Sequence, residues 1–341
     1  KAMREFANKY SIKNYFEVGN SGICHQLMIE KGFAAPGRLI IGADSHTCSY
    51  GALGSFSTGV GSTEAASAMA LGKLWFRVPE TQKFIVNGSL DNYVMGKDVI
   101  LNIIGDIGVD GALYKSMEFH GTALKSMPLS DRITIANMAI EAGGKAGVFS
   151  PDDTVFNYLD GRVKGDYNPI YADKDAEYID TFEYQAEDLV PTVAKPFLPE
   201  NISPASELDN LTIDQAYLGS CTNGRIEDLR LAAGILSGRK IHNNVRMIVV
   251  PASKEVFNQA IKEGLVKTFL DSNAFVSGPT CGACLGGYMG VLAKGERCIS
   301  STNRNFVGRM GHQESEVYLA NPAVVAASAV KGRITDPNEI L

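Results

Sequence analysis

The sequence predicts an α/β protein built of three layered units, and three observations carry that prediction. Strand and helix patterns alternate from one end of the chain to the other. Val245–Val250 is nearly all apolar, as expected of a strand covered on both faces of a parallel sheet. Strand patterns also run straight into glycine-rich turns: Arg38–Ile41 enters Gly42-Ala43-Asp44-Ser45-His46, and Gln215–Leu218 enters Gly219-Ser220-Cys221-Thr222-Asn223. In open α/β sheets, sites form at such carboxyl ends.

The elements follow in order. The first unit, 1–80, holds the Arg38–Ile41 strand, a glycine-rich stretch and a helix pattern over Ser62–Trp75 that stops before Pro79. The second, 81–200, opens on a strand at Lys83–Asn87. A helix over Lys97–Ile107 follows, with Val99, Ile100, Ile103 and Ile104 in helical spacing. An apolar helix pattern over Arg132–Glu141 is ended by Gly143-Gly144. An acidic, proline-bearing connector covers about 165–210 and reads as a linker with a little strand character. The third unit, 201–341, carries the strands at 215–218 and 245–250. Ile226, Leu229, Ala233 and Leu236 mark the face of an amphipathic helix, and a further helix covers Lys254–Gly264.

Composition narrows the function classes. The 341 residues are 45% hydrophobic and 21% charged, normal for a globular chain. The net charge is −6 and no basic run exists, which argues against nucleic acid as a partner. The longest small or apolar run, near Ala323–Val330, is far short of a membrane span. Six cysteines are too sparse for a disulfide scaffold, so a reducing, cytoplasmic setting is expected. Lys1-Ala2-Met3 has no secretory core, and residues upstream of Lys1 are expected to be missing.

Four segments can carry chemistry. Cys281-Gly282-Ala283-Cys284 sits in a glycine-rich turn where both sulfurs can meet one metal; zinc, an iron–sulfur cluster, a redox dithiol or simple packing all fit. Cys221, 60 residues earlier, follows a strand and makes a third thiolate; Cys298 or His312 would be needed to close a four-ligand structural site. Asp44-Ser45-His46 brings carboxylate, hydroxyl and imidazole to a strand end, for acid–base work or as a capped turn. Asn303-Arg304-Asn305-Phe306-Val307-Gly308-Arg309 offers two guanidinium forks for carboxylates, or a solvated turn.

Taken together these segments, with Glu118 in Met-Glu-Phe-His-Gly, resemble the aconitase superfamily of iron–sulfur hydro-lyases, in order and along essentially the whole chain. Asp152–Tyr158 and Asn223–Arg230 are similar to the branch in which a large catalytic chain works with a separate small subunit. The resemblance implies three α/β/α domains around a central cluster, without the swivelling domain. It implies that Cys221, Cys281 and Cys284 hold a [4Fe–4S] cluster with one iron not bound by cysteine. It implies His25 paired with Asp44, and His46 with Glu118, as the catalytic shell. Ser45, Arg304 and Arg309 would bind substrate carboxylates, with Asn303 beside the cluster sulfurs. Cys24, Cys48 and Cys298 would be packing cysteines. The substrate implied is a small hydroxy di- or tricarboxylic acid of malate type, its variable group left open. The partner implied is a small subunit with the swivelling domain and the catalytic serine, and the chain alone is expected to be inactive. The family's Asp-His pair would precede Lys1.

Overall fold

The computed structural model describes residues 1–340. Parallel strand pairing organises each unit. In the first, β1 (Leu39–Gly42) pairs with β2 (Phe56–Gly59), and the connection between them is a 3-10 run, Ser45–Leu53. Gly59 ends β2 against that run: a Cβ there would lie 2.6 Å from the Asp44 carbonyl oxygen. The helix Ser62–Leu71 is shorter than its sequence pattern, because Gly72 takes a left-handed conformation and stops it.

The second sheet has the order β5-β4-β3-β6, all parallel. Its strands are β3 (Thr81–Asn87), β4 (Ser116–His120), β5 (Ala146–Phe149) and β6 (Asp180–Gln185). β6 lies inside the acidic connector, which therefore supplies a full edge strand. The helix Leu129–Met138 returns the chain from β4 to β5, and all ten of its residues are buried. It continues as a 3-10 turn, Ala139–Ala142.

The third sheet runs β11-β10-β9-β12-β13-β7-β8. Its strands are β7 (Thr192–Ala194), β8 (Ile202–Pro204), β9 (Gln215–Gly219), β10 (Arg246–Val250), β11 (Phe275–Val276), β12 (Arg297–Ser300) and β13 (Glu316–Leu319). β7 and β8 pair antiparallel and add to the β13 edge, so the connector's last stretch belongs to this sheet. From β9 the chain moves outward to β10 and β11, then returns to β12 on the other side of β9. That reversal opens a crevice at the carboxyl ends of β9 and β12, the place where α/β sheets bind ligands.

The buried helix Leu129–Met138 joins the units through polar contacts. Thr134 Oγ1 donates to the Thr222 carbonyl at 2.8 Å, and Asn137 Nδ2 donates to Ser49 Oγ at 2.9 Å. From the third unit, buried Arg225 donates to the carbonyls of Cys221, Thr222 and Ser130 and to Thr134 Oγ1. Replacing Arg225 with Met would leave those acceptors without their donor and take from the buried Asp228 the guanidinium charge that favours its ionised form. Breaking a buried charge network of this kind costs about 3–5 kcal/mol. Urea denaturation of Arg225→Met should show a loss of that size; a loss within about 0.5 kcal/mol, the range of a surface change, would show that the network carries no such load.

Candidate active site

The site grows from the turn after β1. Asp44 has extended backbone and caps the 3-10 run, its Oδ1 accepting the His46 amide at 2.8 Å. The same Oδ1 lies 2.9 Å from His25 Nε2, on the helix Cys24–Glu30. His25 Nδ1 meets Tyr50 Oη at 3.1 Å. Both ring nitrogens of this buried imidazole are therefore engaged, and one faces a carboxylate. Burial alone would lower the His25 pKa. The Asp44 hydrogen bond, with contributions from neighbouring Cys24 and the Asp44 charge, outweighs it and raises the value to about 9. Asp44 is held well below the usual carboxylate range, first by its hydrogen bond with His25.

His46 does not meet Glu118. Its Nε2 lies 2.9 Å from Oε1 of Glu141, which closes the 3-10 turn after the buried helix. The Glu141 side chain is 1% exposed. Arg304 Nε donates to both Glu141 oxygens, at 2.9 and 3.1 Å, and Arg304 Nη2 donates to Ser45 Oγ at 2.9 Å. Glu118 instead faces His120, 2.7 Å away and two residues on along β4, and accepts from Tyr178 at 3.2 Å. Alternate residues of a strand share a face, so Glu118 and His120 form a local pair on one strand. Glu141 escaped the sequence reading because it ends a helix read as apolar and lies 95 residues from His46. The available signal was that very apolarity: a glutamate inside a buried run needs a partner.

The thiols converge beside this relay. Cys221 follows β9 at the crevice, after Ser220 in left-handed conformation. Ligand atoms of Cys221, His25 and His46 all lie within 4.8 Å of one another. Asn137 Nδ2 points at Cys221 Sγ from 3.3 Å and Asn303 Nδ2 from 3.6 Å, while Cys284 Sγ lies 3.7 Å from Asn303 Oδ1. Gly282 makes room between Cys281 and Cys284; a Cβ there would meet Tyr217 Oη at 2.2 Å. Arg309 reaches the same loop, its charge opposing the rise in the Cys284 thiol, and its buried Nε has no protein partner. Burial pushes all three thiols up, Cys281 to about 11, and Cys284 pushes both Cys221 and Cys281 further. Three clustered thiols, one of them half-buried, with two amide N–H groups aimed at the Cys221 sulfur, suit a soft, positively charged thiophilic centre; metal binding draws off such protons.

The two side chains that could have closed a four-ligand site stand apart. Cys298 is buried inside β12 near Gln215, and His312 is exposed and bonds the Glu314 amide. Cys48 is buried as expected of a packing cysteine, but Cys24 is exposed, since it opens its helix at the surface.

The profile of the aconitase family (aconitate hydratase) matches residues 1–208 and 201–332. A 3-isopropylmalate dehydratase large subunit from Halothermothrix orenii is 59% identical over 341 residues, spanning 100% of this chain and 81% of that protein. Proteins of the same description from Thermodesulfovibrio yellowstonii and Aquifex aeolicus are 59% and 56% identical, covering 81% and 80% of their lengths. Among solved structures, Thermococcus kodakaraensis aconitase X in its holo-form is 12% identical and overlays with a TM-score of 0.51. It covers 88% of this chain and 69% of that one, and the likeness is one of fold.

Two outcomes test the geometry. Glu141→Gln should cost about 3 kcal/mol or more in chemical denaturation, because it strands Arg304 and His46 beside a buried neutral amide. Glu118→Gln should cost no more than about 1 kcal/mol; equal costs would contradict the pairing. The His25–Asp44 contact has a pH signature. A raised imidazole pKa stabilises the fold fully below the ordinary value of 6.5, and that stability is lost as pH rises through about 9. Thermal midpoints of the metal-free chain should fall across that window relative to Asp44→Asn; parallel curves would exclude the contact.

Proposed function

The chain belongs to the aconitase family, and on that premise we propose that it is a large, catalytic subunit of 3-isopropylmalate dehydratase. It would interconvert 2- and 3-isopropylmalate by dehydration to isopropylmaleate and rehydration, a step of leucine biosynthesis, in the company of a small subunit. The observation that carries the reading is the relay His25–Asp44, His46–Glu141–Arg304–Ser45 beside Cys221, with Cys281 packed against it and Cys284 reached through Asn303. Relatives at 56–59% identity bear that enzyme's name, which supports it.

Cys221, Cys281 and Cys284 would hold a [4Fe–4S] cluster whose cysteine-free iron supplies Lewis-acid polarisation of the substrate's hydroxyl and carboxylate. The remaining work falls to this chain's side chains. Arg309, its Nε unclaimed, and the Arg304–Ser45 pair are placed to grip substrate carboxylates. Gripping them stabilises the charge that develops when a weakly acidic C–H proton leaves. Asp44, against Nε2, favours the imidazolium of His25 beside the crevice, and Glu141, against Nε2, fixes the orientation of the His46 ring there. Hydroxide is a poor leaving group, and an imidazolium beside it lowers the barrier. The small subunit would bring the swivelling domain and the serine that takes the C–H proton.

No helix among the described residues is long and apolar enough to cross a membrane. The test is anaerobic reconstitution with iron and sulfide, the small subunit present, and turnover of 2-isopropylmalate beside homocitrate and dimethylmalate. Preference for isopropylmalate, falling by about a hundredfold or more in Glu141→Gln and lost in Cys281→Ser, is the expected result. Preference for either competitor, with the same residue dependence, would keep the chemistry and refute the substrate.

A further inference from the structure

Lys97 has no part in the reaction described above, yet it is one of the most deeply buried charged groups in the chain, with no exposed surface. It lies in the first turn of the helix Gly96–Ile107, where the helix dipole disfavours a cation. Burying an ammonium is also expensive unless its surroundings compensate. Its three N–H bonds have three acceptors, none of them a carboxylate. Nζ donates to the Thr302 carbonyl at 2.6 Å, to the Ser301 carbonyl at 2.9 Å and to Asn223 Oδ1 at 3.3 Å.

Those acceptors sit on the two loops that flank the crevice. Asn223 lies two residues after Cys221, beyond β9. Ser301 and Thr302 lie beyond β12 and lead into Asn303, whose amide touches the sulfurs of both Cys221 and Cys284. Asn223 is fixed in turn by its own amide, which donates to Asp228 at 2.9 Å and to Thr134 at 3.2 Å. A neutral donor could tie the loops together. What a lysine adds is a positive charge; burial pulls its pKa down, to about 7, and the negative groups that hold the charge against that pull are Asp228, Asp98, Cys284 and Cys221. Asp98 already accepts the Thr192 and Met95 amides and the Asn321 side chain, so its charge is largely answered. Cys284 is faced by Arg309 as well, whereas the charges that act most on Cys221 are those of Cys284, Cys281 and Asp44, all of one sign.

We propose that Lys97 is a positioning residue of the cofactor site: it ties the loop carrying Cys221 to the loop carrying Asn303 and sets a buried positive charge behind the cluster thiolates. The proposal rests on the reading that those cysteines hold the cluster. Two variants separate its parts. Lys97→Met, of similar length, removes both tether and charge; Lys97→Gln keeps an N–H donor and removes the charge. Each is reconstituted anaerobically as the complex with the small subunit, and three quantities are read: iron release to a chelator, the cluster's reduction potential, and the thermal midpoint of the metal-free chain.

Lys97→Met should release iron about tenfold faster, the lower end of what loss of an outer-sphere partner does to a metal site. Both variants should shift the potential to more negative values, because a nearby positive charge favours the reduced cluster. Lys97→Gln should release iron at a rate between wild type and Met. Unchanged potential in the variants overturns the proposal, and so does a fall in metal-free stability with iron release and potential both at wild-type values. If one variant does not accumulate as folded protein, the other decides on the same criteria. Wild-type complex that takes up no iron and sulfide would refute the cluster reading itself, whatever the variants do.

Discussion

One buried carboxylate organises this structure. Glu141 is nearly without solvent exposure and has two partners, the His46 imidazole and the Arg304 guanidinium. The three residues come from the three units: His46 from the turn after β1, Glu141 from the end of the buried helix in the second, Arg304 from the loop after β12. A buried carboxylate left alone would cost several kcal/mol, so the fold that buries it must bring both partners to it. In doing so it fixes the three units against one another with the crevice between them. The hydrogen bond from Arg304 to Ser45 closes the circuit.

The surroundings repeat that logic with weaker groups. The helix Leu129–Met138 is wholly buried but not wholly apolar, and two of its polar side chains, Thr134 and Asn137, face neighbouring units. Thr134 meets Arg225 and Asn223; Asn137 meets Ser49, Cys221 and Thr222. Polar groups taken from water in this way must all find partners, which specifies one arrangement more strictly than apolar packing does. The apolar cores, around Phe84, Ile100 and Met117 on one side and Leu229, Val249 and Val325 on the other, supply the driving force for burial. The polar seam between them decides the register in which the units meet.

Much of this was legible in the sequence, for a physical reason. Strand ends that enter glycine-rich turns leave a local imprint, so the positions of Asp44, Cys221 and the Cys281–Cys284 loop can be read from a dozen residues each. Helix and strand periods located β1, β3, β9 and β10 and the helices Ser62–Leu71, Gly96–Ile107, Leu129–Met138, Ile226–Leu236 and Lys254–Lys262 to within a few residues. What could not be read was long-range partnership. Glu118 and His120 stand two apart on one strand and satisfy each other, so the pairing of His46 with Glu118 that the resemblance implies is not made, and His46 meets Glu141 instead. The connector read as a linker because β6, β7 and β8 are short or half-exposed strands whose pairing lies in distant sheets. Lys97 looked like an ordinary helix residue, since nothing local records that its ammonium ends among the loops of another unit.

The central claim is that three cysteines and the Glu141 relay meet around one cluster with a single substrate-binding iron. Mössbauer spectroscopy of the complex, reconstituted with isotopically enriched iron, tests it most directly. The account predicts one iron site distinct from the other three, whose signal alone shifts when 2-isopropylmalate is added. Four equivalent irons, or a distinct iron that ignores the substrate, would contradict it.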